Sequence, residues 1–160
     1  MPVRDEDVPR KVVEVREYEG ETSIDLAATQ LGSGYSETRK RQIVDEWVAF
    51  FGSGPTPIRS WRFLTRTPKR LFAALSPQSQ LTALQVKWGD YDDLAVLSPM
   101  AGLVSLRLRG ASGVQDLRPL AGLQAVEVLQ VEGLRGLLDA SPVGQMRSVT
   151  DLELGGNWVT

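Results

Sequence analysis

Apolar residues return along the second half of the chain every 22 or 23 residues, with polar ones between them. The segments 93–110 (DLAVLSPMAGLVSLRLRG), 116–133 (DLRPLAGLQAVEVLQVEG) and 139–156 (DASPVGQMRSVTDLELGG) align column by column. Leu97, Leu120 and Val143 share one column; Leu103, Val126 and Val149 share another, followed by Leu106, Leu129 and Leu152, then Leu108, Val131 and Leu154. Between these columns the residues vary freely, as at Arg107, Gln130 and Glu153. The frame extends backwards through Leu81, Leu84 and Val86, and then through Ile58, Trp61 and Phe63, giving five units that begin at Ile58, Leu81, Leu103, Val126 and Val149. A unit of this size cannot bury its apolar face alone, so units stack and bury it together.

Each unit contains an alternating stretch such as Ser105-Leu106-Arg107-Leu108-Arg109, which predicts a short strand with side chains on opposite faces. Leu106 and Leu108 then point into the stack, and Ser105, Arg107 and Arg109 point out. Asp93, Asp116 and Asp139 recur just before the segment that links one strand to the next. An aspartate there accepts from a free N–H at the start of a helical turn. That explains the recurrence better than a ladder of metal ligands does.

The first part of the chain follows other periods. Residues 1–35 read as a charged lead and a strand pair, since "KVVEVREYEGETSIDL" (11–26) alternates on both sides of Glu19-Gly20-Glu21 and suggests a β-hairpin. Residues 36–57 read as a helix and a linker. Ser36 suits the N-cap, Glu37 the first turn and Gly52 the stop, while Ile43, Val44, Trp47, Val48, Phe50 and Phe51 form an apolar stripe. The helix is expected to cap the open end of the repeats in 58–160; the competing reading is a partner-binding helix with exposed aromatics.

"VTDLELGGN" (149–157) reads L-x-x-L-x-L-x-x-N with Val in the first slot and resembles a leucine-rich repeat. "DLRPLAGL" (116–123) resembles the linking segment of bacterial, internalin-like repeats. The resemblance covers residues 58–160. It implies an α/β fold, a right-handed solenoid of about five units with one parallel sheet, preceded by the strand pair and capping helix. The column that holds Asn in such repeats reads Arg66, Gly89, Ala111, Leu134 and Asn157, so the asparagine ladder that satisfies turn backbone must be mostly missing.

The chain has no His and no Cys, which removes the commonest general base, the commonest nucleophile–base pairs and most zinc sites. The adjacent carboxylates Asp92-Asp93 and Asp5-Glu6-Asp7 lack partners that would set their pKa values apart for acid–base work. "LGSGYS" (31–36) lacks the spacing of a phosphate-binding loop, and "RKR" (39–41) reads as the solvated side of the helix. These features predict no enzyme, no cofactor and no metal. A net charge of −2 predicts no generic nucleic-acid binding. No apolar run reaches membrane-spanning length, and with the absence of cysteine this gives an expectation of a cytoplasmic protein with no membrane partner. The linker and the excess of Arg over Lys suggest a bacterial source.

The variable columns of the strand face remain. The outward residues are Ser60, Arg62 and Leu64; Ala83, Gln85 and Lys87; Ser105, Arg107 and Arg109; Val128, Gln130 and Glu132; Asp151, Glu153 and Gly155. The first three units are basic and the last two acidic. Trp88 sits just beyond the second strand, either as an interface anchor beside Lys87 and Arg109 or packed over a turn. The expected function is a protein–protein interaction module that binds an unidentified protein or peptide across this face. Two alternatives stand beside it. One is a structural element that forms a homodimer through the last repeat, where only Trp158 and Val159 are left to cover the core. The other is a recognition fragment of a longer protein ending at Thr160.

Overall fold

The computed structural model describes residues 9–135 and 139–157. Among them, seven strands form one sheet whose spatial order is the chain order, and all neighbours are parallel. The strands are β1 (Arg10–Val12), β2 (Ser23–Leu26), β3 (Ser60–Thr67), β4 (Ala83–Gly89), β5 (Ser105–Leu108), β6 (Val128–Arg135) and β7 (Asp151–Asn157). Helix α1 (Glu37–Gly52) crosses from β2 to β3, and the short helix α2 (Lys69–Ala73) follows β3. The next three crossovers carry 3-10 turns at Leu94–Leu97, Arg118–Gly122 and Ser141–Gln145. The result is an α/β solenoid.

The repeat columns become ladder positions. Trp61 pairs with Leu84, Leu84 with Leu106, Leu106 with Leu129 and Leu129 with Leu152. Phe63, Val86, Leu108, Val131 and Leu154 form the second inward row in the same way. From Trp61 to Val131 these side chains are buried. Their alternation with polar residues fixes the register, because a one-residue slip would turn the whole row outwards. On the opposite side Leu97, Leu120, Met100 and Leu123 are buried beneath the 3-10 turns.

The recurring aspartates do the same job three times. Asp93 accepts from Ala95 N, Asp116 from Arg118 N and Asp139 from Ser141 N, each at 2.9 Å. Each bond meets an amide at the start of a 3-10 turn that has no intrahelical partner.

The asparagine column is answered by main chain. Gly89, Ala111 and Leu134 are buried there, and sheet pairing continues past the turn, with Thr67 opposite Gly89 and Arg135 opposite Asn157. Asp90 N donates to Thr67 O at 3.2 Å, and Ala111 N to Glu132 O at 2.9 Å. Backbone partners replace the missing amide side chains. The approach at Gly89 is so close that a Cβ there would lie 2.1 Å from the carbonyl oxygen of Thr67.

Residues 11–26 do not form a hairpin. β1 and β2 are parallel, with Arg10 opposite Ile24. The intervening chain folds into a 3-10 turn at Val15–Glu17, stabilised by the Glu17 carboxylate accepting from Val13 N at 2.7 Å and Glu14 N at 2.5 Å. It crosses over instead of reversing. The indole N–H of Trp47 pins this crossover from α1 by donating to Val13 O at 2.7 Å.

Helix α1 starts where Ser36 accepts from Arg39 N at 3.1 Å and ends at Gly52. It buries Ile43, Val44, Trp47 and Phe51, and Trp47 and Phe51 pack edge-on to Trp61. The helix covers the apolar N-terminal repeat, but it does so beside the sheet; β1 and β2 extend the sheet beyond β3. The partner-binding alternative loses its basis, since the aromatics are buried or half-buried. The linker 52–57 is equally fixed. The buried Gln78 donates to Phe51 O at 2.7 Å and Gly54 O at 2.8 Å, and accepts from Thr56 N at 3.2 Å.

Candidate protein-interaction face

The outward rows fall where alternation puts them. Ser60, Ala83, Ser105, Val128 and Asp151 are successive partners, and so are Arg62, Gln85, Arg107, Gln130 and Glu153. Small side chains in the first row leave a shallow hollow of about 80 Å³ between Ser60, Ala83 and Ser105, edged by Arg62, Gln85 and Arg107.

The charge pattern differs from the one the repeats alone suggest. β2 extends both rows, which places Ser23 beside Ser60 and Asp25 beside Arg62. The Asp25 carboxylate is buried and takes both arms of the guanidinium, Nε at 2.7 Å and Nη2 at 2.5 Å. This bidentate bond raises the pKa of Arg62. The first unit therefore carries a neutral pair instead of a positive charge. Asp25 escaped the sequence reading because it lies 37 residues before Arg62, outside the repeat period.

At the acidic end, Gln130 is buried and its amide bridges Glu132 at 2.8 Å and Glu153 at 2.9 Å. Arg109 Nε stands 3.7 Å from Glu132, too far for a hydrogen bond, and Arg109 Nε itself is buried without a hydrogen-bonding partner. Asp151 is exposed. Among the described residues, Lys87 and Arg107 have no acidic side chain within salt-bridge distance. The free positive charge of the face is concentrated on β4 and β5.

Trp88 packs over a turn, as one of the two expectations had it, and keeps part of its indole exposed. It is the Cα partner of Arg66 across β3–β4, and its Cβ abuts the turn at Gly110, where a Cβ would lie 2.4 Å away. Gly110 has a φ of 56°, a conformation that glycine adopts without steric cost. Even so, 39% of Trp88 is exposed. It walls a groove of about 420 Å³ that runs past Gly110 and Gly133 towards Gly156, with Asp90, Ser112 and Arg135 on its sides.

The carboxylates considered for chemistry are engaged structurally. Asp92 accepts from Lys69 at 2.8 Å and Asp93 caps its turn. Tyr91 is buried, which pushes its phenol pKa up, and the hydroxyl donates to Arg109 O at 2.5 Å. Among the described residues no group of three potential ligands could hold a metal, and no helix is long and apolar enough to cross a membrane. Asp5, Glu6 and Asp7 lie outside the described residues.

The last strand departs from its column. Leu106 and Leu129 are buried, but their partner Leu152 is 51% exposed. Trp158 and Val159, the expected minimal lid, lie outside the described residues.

A single parallel sheet with its strands in chain order, built on leucine-rich columns, defines the leucine-rich-repeat solenoid class. The chain is similar in fold to an internalin (InlF) from Listeria monocytogenes, with a TM-score of 0.52 and 14% identity over 84% of this chain. It spans 42% of that internalin's length. No family model matches the sequence, and no curated protein matches it. That likeness is one of fold, and a fold of this kind hosts many functions.

Proposed function

We propose that the protein is a non-catalytic interaction module that binds a protein or peptide partner on the strand face, centred on β4 and β5. The observation that carries this reading is the coincidence of unpaired cations at Lys87 and Arg107 with the exposed indole of Trp88. Aromatic and arginine side chains are the residues in which binding energy concentrates. Gln85 and Arg109 complete this centre, Gln130, Glu132, Asp151 and Glu153 form the acidic side, and Arg62 lies at the neutral N-terminal edge. Such a face favours a partner whose acidic patch meets β4 and β5 and whose basic residues meet β6 and β7.

The test is a quantitative capture from source-organism lysate, comparing wild type with a Lys87→Glu, Arg107→Glu double variant of unchanged melting temperature. A partner retained by wild type, cross-linked to β4 or β5 and lost with the variant supports the proposal. Equal capture by both proteins overturns it.

The exposure of Leu152 favours a second reading, self-association through β7, since an apolar residue on an edge strand promotes strand pairing. Sedimentation of wild type and Leu152→Lys over a range of concentration decides it. A dimer lost on substitution supports this reading, and a monomer throughout overturns it.

A further inference from the structure

A cleft of about 310 Å³ opens beside α1, between the chain that leaves β2 and the chain that leaves β3. Its apolar floor includes the buried Ala28 and Val44, and its rim carries Lys40 and Arg41 from α1, Arg66 from β3 and Arg70 from α2. Four basic residues from three elements therefore border one hollow, in a protein whose net charge is −2. Among the described residues, the one acidic side chain in the lining is Glu37. Of the three consecutive basic residues on α1, only Arg39 is committed elsewhere, to Glu14 and Glu46.

The remaining pairings at the rim are weak. Lys40 meets Glu37 at 3.0 Å, Arg66 meets Asp90 and Arg70 meets Asp45. The acidic partners of these pairs are all exposed, and exposed ion pairs contribute little and exchange readily with a competing anion. Arg41 has no ion pair among the described residues. The wall behind Arg66 is rigid. Gln30 holds a φ of 57°, uncommon for a residue with a side chain, and its Oε1 accepts from Arg66 N at 3.1 Å. Thr29 Oγ1 donates to Arg66 O at 2.5 Å. Both backbone groups of Arg66 are thus fixed, and local strain retained around a pocket is characteristic of functional sites.

We propose that this cleft binds a small organic anion, with its phosphate or carboxylate head on Lys40, Arg41, Arg66 and Arg70 and its apolar body over Ala28 and Val44. Guanidinium groups suit such heads because they donate in a planar fork to two oxygens at once. The apolar floor selects against bare inorganic ions. The site is independent of the strand-face reading and stands if that reading fails.

Phenyl phosphate is the first probe, titrated calorimetrically into the full chain at constant ionic strength, with benzoate, inorganic phosphate and phenol beside it. Amide NMR shifts at residues 40–44 and 66–70 report the location. Phenyl phosphate is expected to bind more tightly than inorganic phosphate or phenol; benzoate binding more or less tightly than phenyl phosphate distinguishes a carboxylate from a phosphate head. The Lys40→Ala, Arg41→Ala double variant, altered only at rim side chains, should bind about tenfold or more weakly. Glu37→Gln, which removes the competing carboxylate, should bind more tightly. The proposal is overturned if neither anion binds at millimolar concentration, if phenol or inorganic phosphate binds as well as phenyl phosphate, or if the double variant binds as wild type does.

Discussion

From β3 to β7 each strand lies 22 or 23 residues after its neighbour, as in the pairing of Leu106 with Leu129; from β1 to β2 the step is 14 residues, Arg10 to Ile24, and from β2 to β3 it is 37, Ile24 to Trp61. The two regions share one sheet and are held differently. From β4 onwards the regular region repeats an inward pair of aliphatic residues and caps its 3-10 turns with aspartate. The irregular region relies on single contacts used once: the aromatic cluster of Trp47, Phe51, Trp61 and Phe63, the Gln78 staple, the Trp47 bond to Val13 O, and the ion pair of Asp25 with Arg62. Periodicity lets small, interchangeable residues do the work. Without it, each contact needs a particular side chain.

The largest effect should come from the aromatic cluster. Trp61→Ala removes a buried indole against which Trp47 and Phe51 pack, and should cost about 3–5 kcal/mol. The aliphatic equivalent in the same column, Leu106→Ala, should cost about 2–5 kcal/mol. Leu152→Ala, two column members further along but half-exposed, should cost less than about 1 kcal/mol. Chemical denaturation of the three variants checks the order. A cost at Leu152 equal to that at Leu106 would show that β7 is covered in solution and would strengthen the dimer reading.

The Gln78 staple should come next. Gln78→Ala strips one buried carbonyl, one partly buried carbonyl and the Thr56 amide of their partner, with an expected cost of about 2–3 kcal/mol. Proteolysis should then cut the linker 52–57 sooner than the repeats. If the repeats open first, the linker is not held by Gln78.

What was readable in the sequence follows the same division. The five units, their register and the capping role of Asp93, Asp116 and Asp139 were legible, because periodic columns average out single exceptions. α1 was legible from its own caps and stripe. The parallel pairing of β1 with β2 was not, since alternation around Glu19-Gly20-Glu21 suits two strands of either orientation, and only the turn at Val15–Glu17 decides between them. Asp25 was missed for the same reason, and with it the neutral N-terminal edge of the strand face. The cleft beside α1 was beyond reach, because its four cations are brought together by tertiary folding from residues 40, 41, 66 and 70.

Acid should separate the regions as well. The buried Glu14 carboxylate is held below its ordinary range, chiefly by its hydrogen bonds to Arg39 and then Arg16. A carboxylate whose pKa is lower in the folded state stabilises the fold above its unfolded pKa, and that contribution is lost as pH falls through the folded value. Below the usual glutamate range the β1 segment should therefore loosen from α1 before β4–β6 open. Hydrogen exchange at Val12, Leu84 and Leu106 as a function of pH reads this directly. Glu14→Gln should remove the difference in acid sensitivity.

The smallest effects belong to the capping aspartates, and they test the regular region on its own terms. Asp93→Ala, Asp116→Ala and Asp139→Ala each remove one bond to a turn amide, and each should lower the melting temperature by about 2–4 °C. The three turns are separate, so the triple variant should show close to the summed effect. A metal ladder would behave otherwise: calcium would raise the melting temperature of wild type, and the first substitution would abolish most of that rise. Capping predicts no response to calcium and three similar decrements. The three bonds have the same length and each reaches the amide two residues on, so unequal decrements would locate a second role at the aspartate that stands apart.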